Sequence, residues 1–490
     1  MEDFAEGDPV EHPEYGYGRI ASVLGRQAVV DFNGAAITVS TDQLIRRGVE
    51  RAKVVSHQAS SPSLRIPFRR AFEAVNLGVV PPDGAALEEL TIEGAATTSA
   101  IRSWLARANS DGLCKAAFGY YGAGKSHFLH LAKLTALDSG WAVAYLEFDP
   151  KAADPAKPHL VYQALMSNLE LPQRAGGRGA EGFLGFIREV REHWERVRDL
   201  RLFRASPWFS RAFEVLQYYP HGEDPDYLNA CAWLAGDSGA LGAIRKLARD
   251  QGLRPALVPM MPRIRETAEI YCMHLSVVAE VCRVLGYGGL LLILDEAEHV
   301  RNYNVRRQDR ANNFFDILAR CAHRPRPDDP QPVLNDHGLS LPDFWRKGPH
   351  FGLLVGLTQG DTFSDPNMSL REACAFLFSE DDKIDLQPPK PSEYERWALA
   401  LFEKFYSFYP ERSELLSEAG NRNVLAVTLR EEFERQPPAE RSLRIWVKLA
   451  CLVPSILMVR KVRDLSELVE VTRRAAVEAT RGALPWEDEL

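Results

Sequence analysis

Cysteine chemistry has little material to work with in this chain. Its 490 residues hold seven Cys, too few for a disulfide scaffold. No two of them stand in a Cys-x-x-Cys pair, which sets aside a structural zinc site or a thioredoxin-type motif. The expectation is buried, reduced thiols in a cytoplasmic protein. Long apolar runs are also missing. No stretch nears the ~20 residues of a membrane span, and the best, Leu290 to Leu294, is strand-sized. The opening MEDFAEGDPVEHPE is acidic and polar and lacks the pattern of a secretory leader. Basic charge is not in excess: 59 Lys+Arg against 67 Asp+Glu leave a net charge of −8. That excludes a histone-like coat of positive charge, though not a local basic patch. No internal repeat recurs at a period of about 20–50 residues. What is present is the composition of a folded protein, 46% hydrophobic and 26% charged, long enough for about three domains.

The first part, residues 1–50, reads as a small separate β unit. Three β-rich runs, Arg19–Val23, Ala28–Phe32 and Ala36–Val39, are divided by turn signals at Gly25-Arg26 and Asn33-Gly34. A linker over 51–63 follows. From 64 to 370 apolar strands alternate with helical patterns: Lys115–Phe118, helix Lys125–Leu137, the strand WAVAYLEFD from Trp141, then GLLLILDE and FGLLVGLTQ. That alternation predicts an α/β fold with a parallel sheet covered on both faces. A mostly helical insertion occupies about 155–285, interrupted by a Gly-rich stretch from Arg174 to Gly182. HRPRPDDPQP reads as a surface loop between the last two strands. Residues 371–490 are helical in pattern, with few apolar anchors after Val462.

Gly119-Tyr-Tyr-Gly-Ala-Gly-Lys125-Ser126 matches G-x4-G-K-[ST] in full, the Walker A pattern, between a short apolar strand and an amphipathic helix. Gly119, Gly122, Ala123 and Gly124 let the backbone curl so that successive N–H groups converge on one anion, backed by the start of the next helix. Lys125 is expected to bridge the β- and γ-phosphates, and the Ser126 hydroxyl to ligate Mg²⁺. Tyr120 and Tyr121, inside the loop, either touch a nucleotide or a neighbouring chain or are simply exposed. Asp295-Glu296 closes the strand Leu290–Leu294 in the Walker B manner. An acid on a buried strand belongs at its end, where the sheet opens into a crevice. There Asp295 can hold Mg²⁺ through water, and Glu296 can accept a proton from an attacking water. Glu298 and His299 default to surface residues. Thr358 and Gln359, ending the next core strand, are candidates to orient that water or sense the γ-phosphate.

Arginines that could stabilise a transferring phosphate follow the acids: Arg301, Arg306, Arg307 and Arg310. Arg441 and Arg444 lie beside an amphipathic stripe further on. Each has an ordinary alternative as part of a solvated or paired helix face. The run REVREHWERVRDLRLFRASPWFSR interleaves arginines with Trp194, Phe203, Trp208 and Phe209. Basic groups with stackable rings suit nucleic acid, but Glu189, Glu192, Glu195 and Asp199 make a salt-bridged helix the commoner outcome. His127 and His130 read as packing or surface residues.

Four stretches resemble a known family, the P-loop ATP-binding proteins of bacterial BREX-type phage-defence islands (the BrxD-like group, with the larger BrxC). They are FRRAFEAVNLGVVPPD from Phe68, GYYGAGKSHFLHLAK, LILDEAEHV and, more weakly, ERSLRIWVKLA. The resemblance implies an AAA+/ASCE P-loop NTPase fold in the origin-recognition and STAND-like lineage, closed by a C-terminal helical lid. It implies ATP and Mg²⁺ as cofactors, and ATP hydrolysis. Lys125, Ser126, Asp295 and Glu296 take the roles above, and His127 joins the cofactor-binding set through the Gly-Lys-Ser-His wording. It also implies defence partners (a helicase, methyltransferase or nuclease), DNA as a candidate ligand, and a ring-forming homo-oligomer with an arginine finger. Residues 1–50 depart from that pattern and resemble the small Tudor-like β-barrel of some bacterial helicases, a docking module for protein partners. The expected function is an ATPase coupling turnover to assembly or remodelling of a DNA-associated defence complex. The alternatives are an ATP-dependent switch or scaffold with little turnover, and a DNA-binding regulator.

Overall fold

In the computed structural model, the described residues are 9–12, 16–24, 27–32, 35–41, 45–46, 62–77, 79–81, 87–88, 90–149, 151–173, 182–217, 224–255, 258–260, 268–323, 345, 349–358, 380–386, 390–437 and 441–480. They fall into two compact units, Met1–Ser60 and Ser61–Leu490. The turn signals at Gly25-Arg26 and Asn33-Gly34, nearly all of the linker, the Gly-rich stretch 174–181, the loop 324–332 and Gln359 lie outside the described residues.

In the first unit β1 (Pro9–His12), β2 (Gly16–Leu24), β3 (Gln27–Phe32), β4 (Ala35–Ser40) and β5 (Ile45–Arg46) form one antiparallel sheet, ordered β4-β3-β2-β1-β5. The three runs expected from sequence are its β2–β4. The short edge strand β5 offers too few residues for alternation to reveal it. Alternation turns Ile20, Ala28, Val30 and Val39 to one side, where they meet Val10 in a small core.

The second unit opens with α1 (Pro62–Asn76) and α2 (Gly94–Asp111), then β6 (Leu113–Gly119), α3 (Lys125–Asp138) and β7 (Ala142–Glu147). The insertion runs through α4 (Pro158–Ser167), β8 (Leu169–Glu170), α5 (Gly182–Glu192), α6 (Trp194–Val197), α7 (Arg201–Ala205), α8 (Pro207–Leu216), α9 (Pro225–Leu234), α10 (Leu241–Asp250) and α11 (Ala268–Val284). After it come β9 (Leu290–Asp295), α12 (Val305–Ala322), β10 (Gly352–Thr358) and β11 (Lys383–Asp385). The chain ends in α13 (Pro391–Phe408), α14 (Ala419–Glu434), α15 (Leu443–Val459) and α16 (Leu465–Thr480).

Six strands form the central sheet in the order β11-β6-β10-β9-β7-β8, all parallel except β8. Every residue of β9 is buried, as a strand covered on both faces requires. One face packs on α2 and α3 through residues such as Leu105, Leu129, Leu131 and Ile293. The other packs on α11, α12 and the insertion through Leu292, Val277, Phe314 and Leu318. Because β10 lies between β6 and β9, the ends of those two strands stand two strand spacings, roughly 9–10 Å, apart. Thr358 ends between them, in register with Gly119.

The arginine-rich run folds in the paired, apolar way. Phe203, Trp208 and Phe209 are buried and Trp194 packs against the same core. Arg198 pairs with Glu195, and Arg211 with Glu214. The rings that would stack on bases are therefore inside the insertion. Helix α1 precedes the sheet in the chain, yet it packs with the C-terminal helices: Phe68 stacks on Phe408 with centroids 4.5 Å apart. The stretch after Val462, expected to have few anchors, buries Leu468, Ala475 and Ala476 in that same bundle.

Candidate functional site

The loop between β6 and α3 needs two residues in the left-handed region, and the sequence puts glycine at both: Gly122 at φ 79° and Gly124 at φ 91°. The Ala123 N–H closes the turn on the Tyr120 carbonyl at 3.0 Å. Lys125 then starts α3 and folds back, its ammonium donating to the Gly119 carbonyl at 3.3 Å while the residue keeps only 9% exposure. A lysine head has three donors, and a buried cation calls for an anion. The loop leaves this one facing a concavity rimmed by backbone.

Ser126 Oγ donates to Asp295 Oδ2 at 2.7 Å, bridging 169 positions of sequence. This contact joins the loop after β6 to the end of β9. Asp295 is nearly fully buried and accepts two further bonds, from the Tyr145 hydroxyl at 3.0 Å and from the Glu296 N–H at 2.9 Å. Burial, then the charge of Asp295, holds the Tyr145 phenol well above its ordinary pKa, so it stays a donor. Glu147, in register with Asp295 on β7, has its carboxyl raised by burial and then by the charges of Glu296 and Asp295.

Glu296 has a positive φ of 57°, rare for a residue with a β-carbon, and opens a short 3-10 turn over Ala297–Asn302. His299, one turn on, reaches back to the Glu296 carboxylate at 2.7 Å. His299 is at the surface as expected, its side chain 39% exposed, and it also contacts the second acid directly. The side chain of Glu298 lies outside the described residues.

A cavity of about 870 Å³ joins these groups. Lys125, Ser126, Asp295, Glu296 and Thr358 lie along one part of it, while Val75, Val80, Leu90, Ile92, Trp397 and Val447 give another part an apolar wall. His127 bonds Thr91 Oγ1 at 2.6 Å. Thr91 gives its own hydroxyl proton to the Leu87 carbonyl, so the His127 Nε2–H is the donor. Burial, then the neighbouring His130, pushes the His127 pKa down to about 4, which keeps that ring neutral. His127 ties α3 to the segment lining the apolar end.

The start of α15 covers the loop. A β-carbon on Gly122 would stand 3.2 Å from Ser442 Cβ, and one on Gly124 would stand 3.3 Å from Leu443 Cδ2. Arg444 donates to the hydroxyl of the exposed Tyr121 at 3.1 Å. Of the six candidate arginines, Arg444 lines the cavity. Arg441 bonds carbonyls at the end of α14. Arg307 pairs with the buried Asp154 at 3.0 Å and stacks 3.6 Å from the Tyr303 ring centre. Arg306 is exposed and Arg310 half-buried on α12, and the side chain of Arg301 lies outside the described residues.

A curled backbone, a buried lysine, a hydroxyl–carboxylate pair and an apolar end fit a triphosphate-bearing nucleotide with a divalent cation beside Ser126 and Asp295. Sequence reasoning missed Tyr145, His299 and the Thr91 segment. Tyr145 had one signal, a lone hydroxyl in an otherwise apolar strand, two positions before Glu147 and so on its face.

Residues 68–195 match the family model described as BREX system ATP-binding protein BrxC/D. That span takes in the segment from Phe68 and the phosphate loop, and ends before Asp295. No curated protein and no solved structure matches the chain.

Proposed function

We propose that this chain is an ATP-binding protein of a BREX phage-defence system, of the BrxC/D type, and that it hydrolyses ATP. The observation that carries the reading is the 2.7 Å bond from Ser126 to Asp295, which brings the glycine loop and the acidic strand end to one point. The strand order supports an AAA+/ASCE arrangement, since the strand ending in Thr358 separates the loop strand from the acid strand. The C-terminal helices act as its lid. The N-terminal sheet fits a Tudor-like barrel that docks a protein partner.

In this reading Lys125 and the loop N–H groups bind the phosphates, and the apolar wall takes the base. Ser126 and Asp295 hold Mg²⁺, which when bound neutralises phosphate charge. Thr358 and Glu296 orient a water, and Glu296 accepts its proton. Arg444 reaches the phosphates from the lid. A purified-protein assay of ATP binding and phosphate release, with and without DNA, tests this. Lys125→Ala should lose ATP binding. Glu296→Gln should keep binding and lower turnover by about 100-fold or more. Full turnover in Glu296→Gln would remove that residue from the mechanism.

The second reading, a switch with little turnover, is favoured by the bond between His299 and Glu296. With its carboxylate held there, the chain alone should be slow, and a defence partner that shifts the 3-10 turn should raise the rate. A helicase, methyltransferase or nuclease remains the expected partner class.

A further inference from the structure

Asp295 has more partners than its proposed role calls for, and their arrangement is uneven. A carboxylate offers about four lone-pair positions. On Oδ2 two are filled, by the Ser126 hydroxyl at 2.7 Å and the Tyr145 hydroxyl at 3.0 Å. On Oδ1 one is filled, by the Glu296 N–H at 2.9 Å. Among the described residues the lone pair left over is on Oδ1.

On the Oδ1 side the neighbouring strand packs close, and only a glycine leaves the carboxylate its place. A β-carbon at Gly356 would stand 2.8 Å from that oxygen. Tyr145 comes from β7 on the other side of β9, and its ring is braced against His130 of α3, centroids 4.5 Å apart. Its phenol is thus fixed from two elements before it meets the carboxylate.

We propose that Tyr145 is a positioning residue for the cation site. Its hydroxyl holds the Asp295 carboxylate with Oδ2 against Ser126, so that the acid stays beside the hydroxyl that would share the divalent ion. Without that bond, Oδ2 keeps Ser126 alone and the carboxylate can swing about its Cβ–Cγ bond. The inference rests on the nucleotide reading above and assigns a role that neither the glycine loop nor the acidic pair contains.

The test uses the full chain with Tyr145→Phe, which retains the ring and removes the hydroxyl. Thermal melting is followed at fixed ATP while Mg²⁺ is raised. The variant should need about tenfold more Mg²⁺ than wild type to reach half of the ATP-dependent rise. Its melting point without ligand, and with ATP in EDTA, should match wild type. Equal Mg²⁺ midpoints in the two proteins overturn the role of Tyr145 and leave the nucleotide reading intact. A lowered ligand-free melting point with an unmoved midpoint assigns the hydroxyl to packing and also overturns it. If wild type shows no Mg²⁺-dependent effect of ATP, the nucleotide reading falls and takes this inference with it.

Discussion

Gly356 sits in the middle of a buried strand, where glycine ordinarily weakens pairing. Its reason is the close approach of Asp295 Oδ1 and Leu129 Cδ1, 2.8 Å and 2.7 Å from where a β-carbon would be. Gly356→Ala should therefore destabilise the protein by about 1–3 kcal/mol through overpacking, and should weaken Mg²⁺-dependent ATP binding as Asp295 is displaced. Calorimetric melting and a Mg²⁺ titration check the two effects separately. Residues of this kind mark the limit of what sequence conveys. Lys125, Ser126 and Asp295 were singled out from short local patterns, and the structure brings them together at one cavity. Tyr145, Gly356 and His299 act across strands or around a turn. Their meaning depends on which strand lies beside which, and the sequence of one strand does not carry that.

Among the elements, α15 joins the C-terminal bundle to the phosphate loop. It is capped by Ser442, whose side chain accepts from the Ile445 N–H at 3.4 Å. Ser442→Ala should cost about 1 kcal/mol of stability, seen as a lower urea midpoint. It should also weaken ATP binding, because the first turn of α15 is the part that touches Gly122 and Gly124. The core strands were legible as unbroken apolar runs, and the structure extends Lys115–Phe118 only to Leu113–Gly119. Strands β8 and β11, two and three residues long, were not. A strand that short has no period to detect, and β11 exists through its pairing with β6. Helix α1 repeats apolar residues at helical spacing, but its packing on α15 and α13 was not legible. Its apolar face states that it is buried and leaves the partner open.

For the molecule as a whole, the insertion carries a titratable group at its centre. His274 is fully buried on α11 amid Tyr162, Trp208, Phe209 and Tyr271, and neither ring nitrogen has a hydrogen-bond partner among the described residues. Burial pushes its pKa down to about 3. The unfolded chain, with an ordinary histidine near pKa 6.5, binds the proton first. Stability is therefore full above about pH 6.5 and falls as pH drops toward 3, by about 1.4 kcal/mol per unit from this residue. His274→Phe should flatten that slope, so its advantage in melting point should be larger at pH 5 than at pH 8. A steeper acid loss in the variant would show that the ring is protonated in the fold. At this scale the α/β class was legible in the alternation of runs. The resemblance to the BREX ATP-binding proteins lay in the wording around the glycine loop, where the family match falls, and no physical property of the chain would have supplied it.

The contact between α15 and the glycine loop has a kinetic side. Ser442 and Leu443 rest against the loop within van der Waals distance, and the Arg444–Tyr121 bond fastens the cover at its outer rim. In the nucleotide reading proposed above, a triphosphate would have to part that seam before lying along the backbone, and product would have to part it again to leave. On that reading the tempo of each cycle would follow how often the C-terminal bundle lifts, and a protein gripping this bundle from outside would control the clock without approaching the phosphates.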